Sequence, residues 1–344
     1  MNPNIGIDLG SRNARMAVKG RALVLDQSSA LALRAGKVLS QGDEALDLWG
    51  RAACGIDVVF PLCGGMIARE DALASWLKFL IKQATCSGMV RAPRLLLARA
   101  PGMAPGQARR FVATAMDAGA GGCAMMRADL LAALGAGQSI CAPRARLVAD
   151  VGAGQMSATL IAQNQVLACE TLPFGMQCAD DAIGRMLRCQ YDLVVGPRTA
   201  ENVKVSLATA AQSALPITEV AMGLDAKSGF PRSAQVKTCD VADCIRPLLS
   251  QLSQLIRAVL DQAQVDLLTD LMEDGLTLTG GGAQIFGLDA LISEATGLTC
   301  HVADAPALCV ARGLDAVLND PDAYEGLMEA QQTLLEKRLP GLGR

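Results

Sequence analysis

One pattern occurs twice, once in each half of the chain. An apolar strand ends on an aspartate, an apolar residue and a glycine follow, and a polar bend returns into a second apolar strand. The copies are IGIDLGSRNARMAVKG, from residue 5, and LVADVGAGQMSATLIAQN, from residue 147. Apolar runs broken by Gly-bearing polar bends read as strands joined in meanders. A unit that recurs once per half of the chain points to an internal duplication at domain scale. The length of 344 residues suits two domains, at about 100–200 residues each.

Composition narrows the chemistry. Apolar residues make up 51% of the chain and aromatic ones only 3%, so the core is built of Ala, Leu and Val. The net charge of -3 offers no basic footprint for nucleic acid. Twelve cysteines are scattered without a CxxC pair, which reads as reduced cytoplasmic thiols used as small hydrophobes. A single histidine, His301, excludes a His-ligated metal site and a Ser-His-Asp triad, and is read as structural. The opening residues enter a strand without a basic-then-apolar leader. No window reaches the roughly 18 uninterrupted apolar residues of a membrane span.

The remaining elements follow from periodicity. Strands are expected at Ile5–Leu9, Arg15–Val18 and Leu23–Leu25, then at Arg94–Ala98, Leu147–Val151, Ser157–Ala162 and Val166–Glu170. Helices are expected over 72–83, where Leu73, Trp76, Leu77 and Leu80 share a face, and over 107–118, 129–136 and 179–189. Another starts near Thr199, and a long one spans 241–261. A strand and loop, LTLTGGGAQIFGLD, leads to a helix, a short strand at 300–303 and an Ala-rich helix at 306–318. Residues 30–65 read as irregular and 213–238 as a polar connection. The tail over 322–338 reads as amphipathic.

The bends carry the chemistry. Glycines let a phosphate approach the backbone, and the bend exposes N–H groups to it. An Asp at each strand end suits hydrated Mg2+, which takes one or two carboxylates together with phosphate oxygens. Two facing hairpins would grip a triphosphate, with Asp8 and Asp150 addressing the metal and its water. A third loop, Gly280-Gly281-Gly282, would cover the nucleotide. There is no GxxxxGK[ST] P-loop, and the Gly-rich turns lead into strands and not into helices, which excludes the dinucleotide fingerprint.

These motifs resemble the actin, sugar-kinase and heat-shock-chaperone superfamily, and within it the MreB family of bacterial actin homologues. GIDLGSRNA is similar to that family's first phosphate loop and VADVGAGQMSATLIAQNQV to its second. PLCGGMIARED is loosely similar to P-x-x-D-G-V-I-x-D-x-D. GPRTAENVK resembles the adenosine clamp, and LTLTGGGAQIFGLDALISEATGL and ADAPALCVARG the adenosine loop and the helix after it. The similarity runs from residue 4 to about 318.

The resemblance implies an α/β, actin-like fold (a duplicated ribonuclease H-like unit) with two lobes around a central nucleotide cleft. The first lobe would span 1–145 with a smaller subdomain at about 30–70. The second would span 146–318 with one at about 182–245, and 319–344 would form a C-terminal helix and tail. It implies ATP and Mg2+ as cofactors. Asp8, Gly10, Ser11, Arg12 and Asn13 would form the first phosphate loop, and Asp150, Gly152, Ala153, Gly154 and Gln155 the second. Glu201 and Lys204 would hold ribose and adenine, and Gly280, Gly281, Gly282 and Ala283 would close over the nucleotide. Asp8 and Asp150 would hold the metal through water, Asp150 also acting in hydrolysis. The implied partners are further copies of the chain in protofilaments, the inner membrane surface and the wall-synthesis machinery, in a cytoplasmic protein peripheral to that membrane that determines rod shape. CSGMVRAP, residues 86–93, is the candidate membrane-inserting loop.

Departures bear on hydrolysis. The family's water-positioning Glu aligns with Ala128, which cannot orient water; Asp129, one residue on, is a candidate substitute or a helix cap. Gln155 stands for a phosphate-loop Thr, Cys63-Gly64 for Lys-Asp and Gly175-Met176-Gln177 for Gly-Gly-Asp. Slow or absent hydrolysis is therefore expected. Two other readings stay open: a non-hydrolysing ATP-binding scaffold of another actin-like filament, and a small-molecule kinase of the same superfamily.

Overall fold

The computed structural model describes residues 2–86, 88, 93–211 and 217–330. Two sheets share one plan. The first runs in the order 329–330, 122–127, 94–99, 5–9, 13–18, 22–28, and the second 300–302, 276–279, 146–151, 156–162, 165–172. In each, an antiparallel three-stranded meander is extended by two parallel strands on the side of its first strand. The parallel strands are near-continuous apolar runs, such as the buried Leu95–Leu97 and Leu276–Leu278, because helices cover both faces.

Each sheet has its own core. The first is centred on Ile5, Ile7, Trp76, Leu77 and Phe111, the second on Leu147, Ala149, Leu252, Ile256 and Leu278. Helix Glu70–Cys86 buries Leu73, Trp76, Leu77 and Leu80 as its spacing requires, and its first turn carries Glu70 and Asp71 against the positive end of the helix dipole. A third core lies between the sheets. It joins Ala17, Leu96 and Met126 to Val148, Ile161, Leu314 and Leu318.

That third core is organised by two crossing helices, Ala128–Gly135 and Cys309–Asn319. Their backbones touch through two glycines. A Cβ on Gly135 would lie 1.8 Å from the Cys309 carbonyl oxygen, and one on Gly313 would lie 2.0 Å from that of Leu131. Helix Cys309–Asn319 also packs on the first sheet, where a Cβ on Gly6 would lie 2.9 Å from Leu314 Cβ. The chain therefore returns to its first half after completing its second.

Several expectations are corrected. Residues 30–65 are not irregular: Leu31–Arg34, Lys37–Gln41 and Ile56–Val59 form a small sheet beside helix Asp43–Leu48. Its hairpin turns on Ala35 and Gly36, with φ of 49° and 76°, and an alanine in the left-handed region is a poor turn signal. The stretch 213–238 contains the hairpin Thr218–Asp225 and Pro231–Lys237, while 212–216 lie outside the described residues. Strand Gly122–Arg127 and helix Val265–Asp274 were not expected at all. The tail does not continue as a helix at 322: Asp322–Leu327 is a 3-10 turn, and Glu329–Ala330 pairs antiparallel with strand Gly122–Arg127. The rest of the tail and most of CSGMVRAP lie outside the described residues. Among those described, no helix is long and apolar enough to cross a membrane.

The helix crossing predicts an asymmetric response to small changes. Gly313→Ala should lower the free energy of unfolding by about 3 kcal/mol, since its methyl meets backbone that cannot move aside. Gly184→Ala, in an open helical position with nothing within 4 Å of its Cβ, should raise it by about 0.5–1 kcal/mol through helix propensity. Urea denaturation of the two variants checks both signs.

Candidate nucleotide cleft

The two hairpins have matching tips. In the first, Gly10 N–H donates to Asn13 O at 2.8 Å around Ser11 and Arg12; in the second, Gly152 N–H donates to Gln155 O at 2.9 Å around Ala153 and Gly154. The second tip is pinned from behind. Met176 and Gln177 N–H groups donate to Gly152 O and Ala153 O at 3.0 and 2.8 Å, at the start of helix Gln177–Tyr191. Gly175 allows this approach, since a Cβ there would lie 2.3 Å from Gly152 O.

The tips meet across the interlobe cleft. A Cβ on Gly154 would lie 2.2 Å from Ser11 Oγ and 3.0 Å from Gly64 N. Between and beneath them is a cavity of about 200 Å³. Asp8, Gly10, Ser11, Arg12 and Asn13 line it from the first lobe; Asp150, Gly152, Ala153, Gly154 and Gln155 from the second; Gly280 and Gly281 close the floor. Gly280 has φ of 83° and its N–H donates to Pro306 O at 2.9 Å, which ties the third loop to the approach of helix Cys309–Asn319.

Both aspartates are desolvated in the cavity. Burial raises the pKa of Asp8 to about 6, against the pull of Arg15, with Asp150 and Asp26 adding to the rise. Burial likewise raises that of Asp150, opposed by the hydrogen bond from Thr279 Oγ1 at 2.9 Å, with Asp129 adding to the rise and Arg15 opposing it. The repulsion between Asp8 and Asp150 places the two carboxylates in one field. Arg15 stands 3.8 Å from Asp8 and 3.0 Å from Asp26, so it serves Asp8 only at long range. Two desolvated carboxylates over a glycine cradle fit a cation bridged to phosphate oxygens. Among the described residues no three His, Cys, Asp or Glu side chains form a metal cage, and Mg2+ commonly completes its shell with water and phosphate.

Other expected residues sit differently. Gly282 and Ala283 are buried under the cleft, where a Cβ on Gly282 would lie 2.5 Å from Val151 Cγ1; they make room for packing and do not line the cavity. Glu201 and Lys204 lie on helix Pro197–Leu207 outside this cavity, each already engaged. Lys204 Nζ pairs with Asp180 at 2.7 Å and donates to Met176 O at 3.3 Å. Glu201 accepts from Arg12 Nε at 3.2 Å and Nη2 at 2.8 Å.

Asp129 is also corrected. It is 2% exposed and does not line the cavity, which Ala128 does. Its carboxylate accepts from Arg127 Nε at 3.0 Å, from Thr159 Oγ1 at 2.7 Å and from its neighbour Leu130 N–H at 3.0 Å. It does not cap the helix either: the cap position is Arg127 and the helix begins at Ala128. Arg15, Thr279 and Asp180 have no counterpart among the residues expected from the sequence. Only Arg15 left a signal, since it falls opposite Asp8 in the hairpin register.

The family described as MreB/Mbl protein matches residues 2–326. The chain belongs to the MreB/Mbl family. It is 30% identical to the cell shape-determining protein Mbl of Bacillus subtilis strain 168, covering 93% of this chain and 96% of that protein. It is 30% identical to the cell shape-determining protein MreB of Escherichia coli strain K12, over 94% and 95% of the two chains. Among solved structures, MreB5 of Spiroplasma citri bound to ADP superposes with a TM-score of 0.89 at 25% identity, over 95% of this chain and 98% of that one. A MamK double helical filament superposes with a TM-score of 0.77 at 16% identity, over 92% and 98%. The fold is actin-like, and the matched sheets and facing hairpins are how this MreB/Mbl chain builds it.

The raised pKa of Asp8 predicts a pH dependence. A carboxylic acid whose folded pKa lies above its unfolded value near 3.8 binds its proton more tightly when folded. Its contribution to stability therefore falls as pH rises from about 4 to about 6 and stays low above that. Asp8→Asn should flatten this part of the stability profile and be the more stable protein at pH 7, as thermal unfolding from pH 4 to 8 would register.

Proposed function

We propose that this chain is a nucleotide-binding, filament-forming cytoskeletal protein of the cell shape-determining class, with ATP and Mg2+ as its ligands and weak or absent hydrolysis. The observation that carries the reading is the convergence of two acidic glycine hairpins, one per duplicated sheet, on a single cleft. The MreB5 structures with ADP and with AMPPNP support a nucleotide ligand, and the MamK filament supports self-association. The lobes are taken as residues 1–145 and 146–318.

In this reading Asp8 and Asp150 hold the hydrated metal, the N–H groups of the two hairpin tips receive the phosphates, and Gly280 and Gly281 floor the nucleotide. Glu201 and Lys204 face ribose and adenine. Mg2+ when bound neutralises phosphate charge and relieves the two desolvated carboxylates. Ala128 offers no group to orient water, and Asp129 is committed elsewhere; removing a positioned base typically lowers a rate by about 10²–10⁴-fold. A filament at the inner face of the inner membrane, guiding wall synthesis, fits the naming of the relatives as cell shape-determining. Ala128 also favours a second reading, in which the chain binds ATP without hydrolysing it and joins the filament of another actin-like protein.

Sedimentation with and without Mg-ATP, read together with phosphate release, tests the proposal. ATP-dependent pelleting with little phosphate release is expected; pelleting only beside a partner filament selects the second reading, and phosphate transfer to a small molecule overturns both. Asp150→Ala should lose Mg-ATP binding by at least about tenfold, since a charged contact contributes about 1.5–3 kcal/mol. Ala128→Glu should raise phosphate release by about 10²-fold; unchanged binding in the first variant would remove Asp150 from the site.

A further inference from the structure

Arg12 is out of place for a phosphate-loop residue. It starts at the tip of the first hairpin, yet its guanidinium crosses the cleft to the second lobe and forms a two-pronged pair with Glu201. One face of the guanidinium lies 4.0 Å from the ring centre of Trp49, and Phe60 is 5.1 Å away. Trp49 and Phe60 pack edge to face at 5.5 Å, so the aromatic wall is itself braced. Both rings come from the small subdomain of the first lobe. Three elements therefore converge on one side chain: the first hairpin, the first lobe's small sheet and helix Pro197–Leu207.

The pair is protected from water. The Arg12 side chain is 9% exposed and that of Glu201 25%. A stacked, two-pronged guanidinium uses the planar fork that lysine lacks, and both contacts strengthen as water is excluded. The same junction carries a second, more exposed pair between Arg198 and Asp47, and a close contact in which a Cβ on Gly50 would lie 3.1 Å from Pro197 Cδ. Buried Arg12 Nη1 has no hydrogen-bond partner, so one donor of the fork remains free.

We infer that Arg12 is a built-in competitor for Glu201: it latches the two lobes across the cleft and withholds from a nucleotide's ribose the carboxylate that would bind it. The inference rests on the proposed reading that Glu201 faces ribose. A ribose hydroxyl reaches Glu201 only if the Arg12–Glu201 pair opens, so what that contact would add to affinity is offset by the loss of the pair. It follows that this chain distinguishes ATP from 2′-deoxy-ATP poorly, and that opening the latch uncovers Trp49.

Two measurements on the full chain test this. The first is equilibrium binding of ATP and 2′-deoxy-ATP with Mg2+. The parent should bind them within about twofold of each other. Arg12→Ala should bind ATP about tenfold tighter, the size expected for regaining one hydrogen bond to a charged group, with little gain for 2′-deoxy-ATP. Glu201→Gln opens the latch without supplying a carboxylate, and should show no such preference. The second is acrylamide quenching of tryptophan. The chain has two tryptophans, and Trp76 is 0% exposed, so the quencher reads Trp49. Quenching should rise in Arg12→Ala and in Glu201→Gln, and should stay unchanged in the parent on adding Mg-ATP, where the pair remains closed. Arg12→Gln replaces Arg12→Ala if the latter does not fold. Unchanged quenching in both latch variants overturns the latch. Raised quenching with unchanged ATP preference overturns the competition for ribose. If no variant binds nucleotide at all, the proposed function fails, while the quenching result still decides the latch.

Discussion

The contact on which the rest depends is the crossing of two helices at glycine. Helix Ala128–Gly135 opens directly from the last parallel strand of the first sheet, and helix Cys309–Asn319 closes the second half of the chain. Gly135 and Gly313 let their backbones touch, and Leu130, Leu131, Leu314, Val317 and Leu318 seal the crossing. Close-packed interiors do not deform continuously, so this crossing sets how the lobes stand to each other. The positions of the two hairpin tips follow from it. Ala128, at the start of one helix, and Val310, near the start of the other, both line the cleft, so the helices that join the lobes also end at the candidate site.

Charge in the cleft is arranged as a set of unequal pairings. Asp8 has Arg15 only at 3.8 Å, whereas Arg15 is closer to Asp26. Asp150 has a neutral hydroxyl, that of Thr279. Glu201 has a two-pronged pair with Arg12, and Asp180 has Lys204 at 2.7 Å. The end at the hairpin tips therefore holds poorly compensated carboxylates, while the end near helix Pro197–Leu207 is compensated by the protein itself. Unsatisfied negative charge at one end favours a cation. Satisfied charge at the other end resists a sugar, because a buried ion pair gives up its partner only when something of comparable strength replaces it.

The legibility of the fold in the sequence followed the length and regularity of its elements. The duplicated hairpins were legible because their strands run apolar into a Gly-bearing bend, and helices 70–86 and 238–260 because several turns of one face are apolar. Both small sheets were lost. The strands of the first run only 4 or 5 residues, and the longer strand Thr218–Asp225 of the second has a single buried residue, Ala221, with Val220, Met222 and Leu224 exposed. A pattern with its apolar residues on the open face gives no inward signal. At the site, the backbone half was legible, since aspartate and glycine positions are fixed by turn geometry. The side-chain half was not. Arg12 and Glu201 are 189 positions apart, and nothing local in the sequence tells an arginine in a bend that its partner lies on the other lobe.

The fate of Asp129 shows why a neighbouring acid does not rescue a missing one. Successive residues on a helix are rotated by about 100°, and side chains one apart do not face the same neighbour. Ala128 points its methyl at the cavity, so the next residue must point elsewhere, and here that direction is the packed seam between the lobes. There the carboxylate meets Arg127, Thr159 and the start of its own helix, the hydrogen-bond partners that a buried carboxylate requires. To reach the cavity Asp129 would have to abandon all of them and turn the helix by more than a quarter revolution. Gly135, at the other end of the same helix and in backbone contact with Cys309, prevents that turn. The packing that joins the lobes thus holds the cleft to whatever residue 128 supplies, and in this chain it supplies a methyl group.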